Sequence, residues 1–336
     1  GWLVLTLTGS PFYLGLDAFL GELPILLFTL IGGVMADRQD RRRVLLTSQY
    51  IQMTSALTLA ALVYWDLVRV WHILTLSFIT GFGQAFGGPA YQALIPALVD
   101  QKDLPNAIAL NSIQFNLARV IGPLLAGIAL AWLGTAACFG LNGLSFLVVI
   151  AALWSLRVPF IPAQNRQPIM LELRSGLSYV WHEGALRALT VLAFATTFLG
   201  IPLLTFLPVF ARDIFHSGAS GYSQLMAYSG IGAVSGALVV AWLGRFRQMG
   251  LTLLSVQAVF SLLTVAFALS RHLWVSYVLL FAGGAALIIV FSMMTSLVQL
   301  IAPNQLRGRV VSIYMVAFRG GMPLGSLASG FLAALG

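Results

Sequence analysis

The chain alternates between long apolar stretches and short polar breaks along its whole length. The hydrocarbon core of a bilayer is about 30 Å thick, and a helix needs roughly 20 apolar residues to cross it. Ten stretches meet this length, and residues 1–8 resemble the end of one more. The predicted spans cover residues 12–35, 43–65, 70–97, 105–132, 135–156, 186–210, 221–243, 249–269, 273–301 and 309–335. Because the short alternating segments of a membrane barrel are not part of this pattern, the sequence predicts an all-α polytopic membrane protein.

Composition and charge agree with this prediction. The chain is 59% hydrophobic and 8% charged, whereas a soluble domain is about 25% charged. The net charge of +8 reflects membrane topology rather than nucleic-acid binding, because thirteen of the eighteen Lys and Arg fall in alternate loops. Positive loops stay in the cytoplasm. We therefore expect a multi-pass protein of the plasma (inner) membrane that contacts the bilayer and no nucleic acid.

The sequence repeats itself after two hundred residues. Ser112, Arg119 and Pro123 recur as Ser312, Arg319 and Pro323. Internal repeats are typical of secondary transporters, whose substrate site lies between the halves. The predicted domains are an N-terminal bundle (1–156), a cytoplasmic linker with an amphipathic helix (157–185) and a C-terminal bundle (186–336). Since the first span begins part-way through, we expect the chain to be part of a twelve-helix protein. We also expect that protein to be a monomer.

A charged loop follows the first complete span. It reads Gly-Gly-Val-Met-Ala-Asp-Arg-Gln-Asp-Arg-Arg-Arg over residues 32–43. This run resembles the signature between the second and third helices of the major facilitator superfamily, with Asp40 where the pattern has glycine. Residues 88–96, 106–112 and 115–123 are similar to the drug and siderophore efflux branch of that superfamily, which includes macrolide efflux proteins and the enterobactin exporter.

The resemblance implies a fold and an activity. The expected fold is the major facilitator fold, with two pseudo-symmetric six-helix bundles. The expected activity is export of small amphipathic molecules by alternating access, in exchange for protons and without a cofactor. An importer or uniporter of the same fold, or a non-transporting scaffold or sensor, remains the alternative. The sequence has no phosphate-binding loop for ATP and no clustered catalytic or metal-binding groups, so we expect neither an enzyme nor a metal site.

In the family that this loop resembles, the aspartate equivalent to Asp37 meets the N-terminus of the eleventh helix when the cytoplasmic side closes. A helix N-terminus carries partial positive charge, so a carboxylate there is stabilised by up to about 2 kcal/mol. We predict a cytoplasmic latch formed by Asp37, Arg38, Arg41 and Arg42. The alternative is that these groups are solvated loop charges that only set orientation.

Glu22 is the carboxylate placed deepest in a span. At 1.5 Å per residue, it lies about 22 Å from Asp37. Ionising a carboxyl at that depth is costly, so such a group can exchange a proton near neutral pH. We predict proton coupling by Glu22, and by Asp17 nearer the external interface. The alternative is a hydrogen-bonded acid that only ties two helices together.

Two arginines, Arg119 and Arg319, lie inside spans at equivalent positions of the repeat. An arginine stays charged in the membrane and therefore needs a partner or a wet cavity. We predict that Arg319 pairs with Glu22 in one state and separates from it in the other. A permanent structural pair is the alternative.

The remaining candidates are uncharged polar side chains at helical spacing, which fit either cargo contacts or ordinary interhelical hydrogen bonds. The predicted cargo-binding residues are Ser77, Thr80, Gln84, Tyr91, Asn116, Ser292, Ser296 and Gln299. The small-residue pairs Gly232 with Gly236 and Gly321 with Gly325 predict close helix packing.

Overall fold

The computed structural model describes residues 1–100, 103–156, 177–243, 248–303 and 306–335. Its helices are α1 (Trp2–Thr8), α2 (Pro11–Arg38), α3 (Arg41–Tyr64), α4 (Val70–Leu94), α5 and α6 (together Leu104–Ser155), α7 (Gly184–Val209), α8 (Gly218–Leu243), α9 (Met249–Leu269), α10 (Leu273–Ile301) and α11 (Arg307–Leu335). Each predicted span coincides with one of the helices α2 to α11, and the ends differ by no more than about three residues. The all-α prediction is confirmed.

Within the described residues, seven segments are long and apolar enough to cross a membrane by length and composition alone. They belong to α2, α6, α7, α8, α9, α10 and α11. Two further helices carry more polar or small residues, since α3 contains many Thr, Ser and Gln side chains and α4 is rich in glycine. A helix that faces only lipid does not need such residues, so their presence indicates that one face of each helix packs inside a bundle.

Glycine separates two pairs of neighbouring helices. Gly9 has φ 64° and ends α1 in the left-handed conformation. Gly134 has φ 78° and ψ 176°, which breaks the continuous turn between α5 and α6. A residue with a Cβ rarely adopts positive φ. These two glycines therefore fix where one helix ends and the next begins.

The chain divides into two compact units. Unit 1 comprises Gly1–Phe115, Ile128–Arg166 and Ser326–Gly336, and unit 2 comprises Asn116–Gly127 and Gln167–Gly325. In unit 1, α4 packs most extensively against α2 and next against α3; in unit 2, α10 packs most extensively against α8 and next against α9. The internal repeat is thus visible in the packing. Most of the predicted linker, 157–185, lies outside the described residues, so the predicted domain boundaries stay a prediction.

The α2–α4 contact in unit 1 is a close crossing of backbones. A Cβ at Gly81 would collide with the carbonyl oxygen of Gly21, and one at Gly32 would collide with that of Ala85. Glycine at these positions lets the two helices approach more closely than any other residue allows.

The α8–α10 contact in unit 2 is built in the same way. A Cβ at Gly232 would collide with the carbonyl oxygen of Phe281, and one at Gly284 with that of Ser229. The other predicted small-residue positions are equally tight: Gly236 lies against Ala285, Gly321 against Thr197 and Gly325 against Phe198. The predicted close packing is confirmed.

Candidate transport site

Asp40, the residue that departs from the loop signature, caps α3. Its Oδ1 accepts a hydrogen bond of 3.0 Å from the backbone N–H of Arg42. Aspartate is among the best N-cap residues because its side chain satisfies an N–H that the helix leaves unpaired. The departure from glycine therefore supplies a helix start rather than a site for chemistry.

Two loop arginines bind the carboxyl ends of other helices. Arg41 Nη1 donates to the carbonyl oxygen of Ala93 at 3.0 Å, at the end of α4. Arg42 donates through Nε to Leu153 at 2.6 Å and through Nη2 to Trp154 at 2.8 Å, at the end of α6. Unpaired carbonyls at a helix C-terminus carry partial negative charge. These arginines therefore join the start of α3 to the ends of α4 and α6.

The side chains of Asp37 and Arg38 lie outside the described residues. The latch between Asp37 and the eleventh helix stays a prediction. Arg43 is 87% exposed, and its Nε lies 3.6 Å from Asp40 Oδ2. Exposure of this degree fits a residue that sets orientation only.

Asp17 takes part in a hydrogen bond between α2 and α4. Its Oδ1 accepts from Ser77 Oγ at 2.6 Å, and its side chain is 13% exposed. The bond lies one helical turn from the Gly21–Gly81 crossing, because both partners are four residues away from that contact. Asp17 is thus a largely buried carboxylate beside a tight point of the α2–α4 interface.

Glu22 follows on the same helix, about 7.5 Å further along its axis at 1.5 Å per residue. The side chain is half-buried, and its Oε2 is fully inaccessible to solvent. Two carboxyl groups on one membrane-spanning helix are therefore shielded from water to different extents. Their roles in proton coupling stay predictions.

Unit 2 holds an uncharged counterpart of the Asp17–Ser77 bond. Tyr277 on α10 donates its hydroxyl hydrogen to Gln224 Oε1 on α8. Tyr277 lies two hundred residues after Ser77, the offset of the repeat. Asp17 and Gln224 are both the seventh residue of their helices. The two units therefore place a polar bond at the same position, and only unit 1 places a carboxyl there.

Sequence reasoning missed Gln224 and Tyr277 as a pair. The repeat offset applied to Ser77 was the signal that could have found Tyr277. The ring of Tyr277 also stacks on Tyr228, with centroids 4.5 Å apart and planes at 12°.

The two intramembrane arginines differ in how far the structure describes them. The side chain of Arg119 lies outside the described residues, as does that of Asn116. Arg319 on α11 is exposed on unit 2. Glu22 belongs to unit 1, and the predicted Glu22–Arg319 pair stays a prediction.

The predicted cargo contacts differ in their exposure and in the hydrogen bonds that the structure describes for them. Ser77 donates to Asp17, and Tyr91 donates its hydroxyl hydrogen to Asn111 on α5. Gln84 and Gln299 are exposed, whereas Thr80, Ser292 and Ser296 are half-buried. Exposure and hydrogen bonding of this kind fit cargo binding and helix packing alike, so the binding roles stay predictions.

An apolar cavity lies inside unit 2, between α7, α8, α9 and α10. It holds about 20 Å³, enough for one water-sized group, and its lining includes Gly200, Phe260 and Gly283. Ligand pockets span about 300–1,000 Å³, so this cavity is a packing void rather than a cargo site. Among the described residues, no cluster of His, Cys, Asp and Glu could hold a metal ion.

Comparison with protein families gives a match over nearly the whole chain. The model of the transmembrane secretion effector family matches residues 1–335. The chain is 29% identical to the multidrug efflux pump Tap of Mycolicibacterium fortuitum, covering 99% of this chain and 83% of that protein. It is 22% identical to macrolide efflux protein A of Streptococcus pyogenes, covering 97% and 82%. It is 26% identical to the enterobactin exporter EntS of Salmonella typhi, covering 99% and 77%.

Solved structures support the fold. The nucleoside transporter NupG superposes with a TM-score of 0.72 at 16% identity, covering 99% of this chain and 85% of that one. A bacterial homologue of the human lysosomal transporter Spinster, inward-facing and occupied, gives a TM-score of 0.74 at 17% identity, covering 99% and 76%. The predicted major facilitator fold is confirmed.

Proposed function

Because the chain belongs to the transmembrane secretion effector family, we propose that it exports small amphipathic molecules by alternating access, in exchange for protons. Membrane transport and efflux follow from the family and from the efflux proteins that the chain resembles. The exchange for protons and the conformational cycle are the finer part of the proposal.

The observation that carries the proton step is the carboxyl of Asp17 at the α2–α4 crossing. As a carboxylate, it accepts the Ser77 hydrogen at 2.6 Å. Once protonated, the same group has an O–H to donate and no charge to stabilise. The bond that ties α2 to α4 therefore differs between the two protonation states, at a side chain only 13% exposed.

The glycine crossing next to this bond is where a change of hydrogen bonding at Asp17 would act on helix packing. Gly21 and Gly81 bring the two backbones into direct contact one turn away. Packed interfaces of this kind shift between discrete arrangements rather than deforming gradually. A change of hydrogen bonding at Asp17 can thus bias how α2 packs on α4, which is the coupling that proton-driven transport needs.

Unit 2 provides the internal reference for this role. An amide and a phenol, Gln224 and Tyr277, make the equivalent bond. Neither group changes charge near neutral pH. The position can therefore be filled by a permanently neutral pair when only helix packing is required. A carboxyl at this position in unit 1 fits a role that needs a change of charge, which helix packing does not need.

The test reconstitutes the full-length protein in liposomes, imposes a pH gradient and follows three fluorescent amphipathic probes: the cation ethidium, the neutral dansyl-phenylalanine carboxamide and the acid dansyl-phenylalanine. We expect wild-type transport to follow the gradient. Asp17→Asn mimics the neutral pair of unit 2, so it should fold normally and lose the gradient dependence at least about tenfold, the effect of one lost charge-assisted contact. The same assay on Glu22→Gln measures the contribution of the deeper acid.

Asp103→Asn is the matched control, because Asp103 is exposed and its side chain makes no cap hydrogen bond. It should transport like the wild type. Gradient-driven transport that survives both Asp17→Asn and Glu22→Gln would contradict coupling by α2. Wild-type movement that ignores the gradient would favour a uniporter, and no movement of any cargo would favour a scaffold or sensor.

A further inference from the structure

Arg319 lies near the middle of α11. It is twelve residues after Arg307, the first residue of the helix, which corresponds to about 18 Å along the axis. The helix continues for sixteen further residues to Leu335. An arginine side chain can reach a membrane interface only from nearby turns. The guanidinium is thus held deep in the span.

At this depth the side chain is nevertheless exposed on the surface of unit 2. An exposed guanidinium cannot face hydrocarbon without a large cost, so intramembrane charges face a water-filled cavity or a charged group. Arginine does not lose its proton to escape that cost. The face of α11 that carries Arg319 is therefore a polar-facing surface.

The pattern of α11 shows which side chains share the exposed side of the helix with Arg319. Among the long helices described, α11 separates its polar and apolar faces most strongly. Tyr314 and Gly321 are buried on one side, whereas Met315 and Val316 are each 40% exposed on the side of Arg319. Arg319 therefore lies beside two apolar side chains on the exposed side of the helix.

Aromatic groups flank the same level of the helix. The ring of Phe318 packs edge-to-face on Phe291 of α10, with centroids 4.7 Å apart. Met315, Val316 and Phe318 therefore lie within about one turn of Arg319 on α11, and Phe291 packs against the last of them. This combination suits a molecule with an apolar or aromatic body and an acidic group.

We propose that Arg319 binds an acidic group of the exported molecule, so that the protein prefers amphipathic anions over neutral analogues of the same size. The inference rests on the proposed export function and deepens it by naming the class of cargo. A carboxylate or an acidic phenol accepts hydrogen bonds from the guanidinium fork, and a carboxylate accepts two in parallel. The membrane potential, negative inside, drives such an anion outwards, in the direction of export.

The test measures binding rather than transport. The full-length protein is placed in nanodiscs of zwitterionic phosphatidylcholine, which removes anionic lipid as a competing ligand. The two probes are dansyl-phenylalanine and its carboxamide, which have the same rings and nearly the same size but differ in charge. Dansyl fluorescence reports binding of each. We expect the wild type to bind the acid about tenfold more tightly than the amide, as one charge-assisted contact provides.

Variants of Arg319 then test whether this residue causes the preference for the acid over the amide. Arg319→Gln should bind acid and amide equally, because the charge that distinguishes them has lost its partner. Arg319→Lys should keep part of the preference, because lysine retains the charge but not the planar fork. Arg271→Gln is the matched control, since Arg271 is exposed in the loop before α10 and its loss should leave the preference unchanged.

Three results would overturn the inference: equal binding of both probes by the wild type, an acid preference that persists in Arg319→Gln, or no binding of the acid. The comparison of acid with amide in the wild type holds even if Arg319→Gln fails to fold. Equal, gradient-driven movement of both probes would leave the exporter standing and reject the anion preference. An acid preference in binding, with no response of transport to the pH gradient, would support the anion preference and reject proton-driven export.

Discussion

Two neighbouring glycines on α10 differ in what one methyl group would meet. A Cβ at Gly284 would collide with the carbonyl oxygen of Ser229, whereas a Cβ at Gly283 has nothing within 4 Å. Overpacking a helix contact costs about 1–3 kcal/mol, while alanine is about 1 kcal/mol better than glycine in a helix. We predict that Gly284→Ala lowers the Tm in detergent by several degrees and that Gly283→Ala leaves it unchanged or raises it.

The two variants share one helix and one substitution, so each controls for the other. Their difference isolates the backbone contact with α8. Equal melting temperatures would mean that α8 can move away from α10 without cost. That outcome would contradict the close crossing as a source of stability in unit 2.

At the scale of elements, arginine side chains tie the first turn of α3 to the ends of two other helices. Arg42 makes two bonds to carbonyls at the end of α6, and Arg43 is 87% exposed. Cations at helix C-termini contribute about 0.3–2 kcal/mol, so we predict that Arg42→Gln destabilises the protein by about 1 kcal/mol. It should also speed proteolysis after Trp154. Arg43→Gln should behave like the wild type in both assays.

Both substitutions remove one positive charge from the same loop, so a general effect of charge would change them equally. Equal destabilisation would assign the effect to the charge of the loop and not to the hydrogen bonds of Arg42. Destabilisation by Arg42→Gln alone would establish that the loop signature also holds unit 1 together.

The elements were predictable because their signal is local. An apolar run of about 20 residues is hard to mistake, and Gly134 marks the break between α5 and α6. The partners of the functional side chains were not predictable in the same way. Ser77 lies 60 residues from Asp17, and Leu153 lies 111 residues from Arg42. Hydropathy says which face of a helix is polar, but it does not say which distant group that face will meet.

The substitution of Asp40 for glycine shows the same limit at shorter range. The sequence identified the departure from the signature, and only the geometry of the N-cap gave its reason. Conversely, the repeat carried long-range information that hydropathy lacks. An offset of two hundred residues relates Ser77 to Tyr277 and Arg119 to Arg319. Asp17 and Gln224 are 207 residues apart, so they are matched by their place in the helix and not by that offset.

At the scale of the whole molecule, alternate loops differ in charge and therefore in the side of the membrane they occupy. Gln39 and Asp66 lie at opposite ends of α3 and are both exposed. The arginines that follow Gln39 place it in the cytoplasm by the positive-inside rule. In a background with Cys138 replaced by alanine, we predict that Asp66→Cys reacts with an impermeant maleimide in intact cells. Gln39→Cys should react only after the cells are permeabilised.

The two introduced cysteines are separated by one span and share the same background, so each is the control for the other. The opposite labelling pattern would invert the topology and place the arginine clusters outside. The proton proposal would then fail on direction, because Asp17 would face the cytoplasm rather than the external side from which protons enter. Labelling of both cysteines in intact cells would mean that α3 does not cross the membrane, despite its 24 helical residues. The predicted pattern instead places the Asp17–Ser77 bond near the outer surface, where an incoming proton first meets a buried carboxyl.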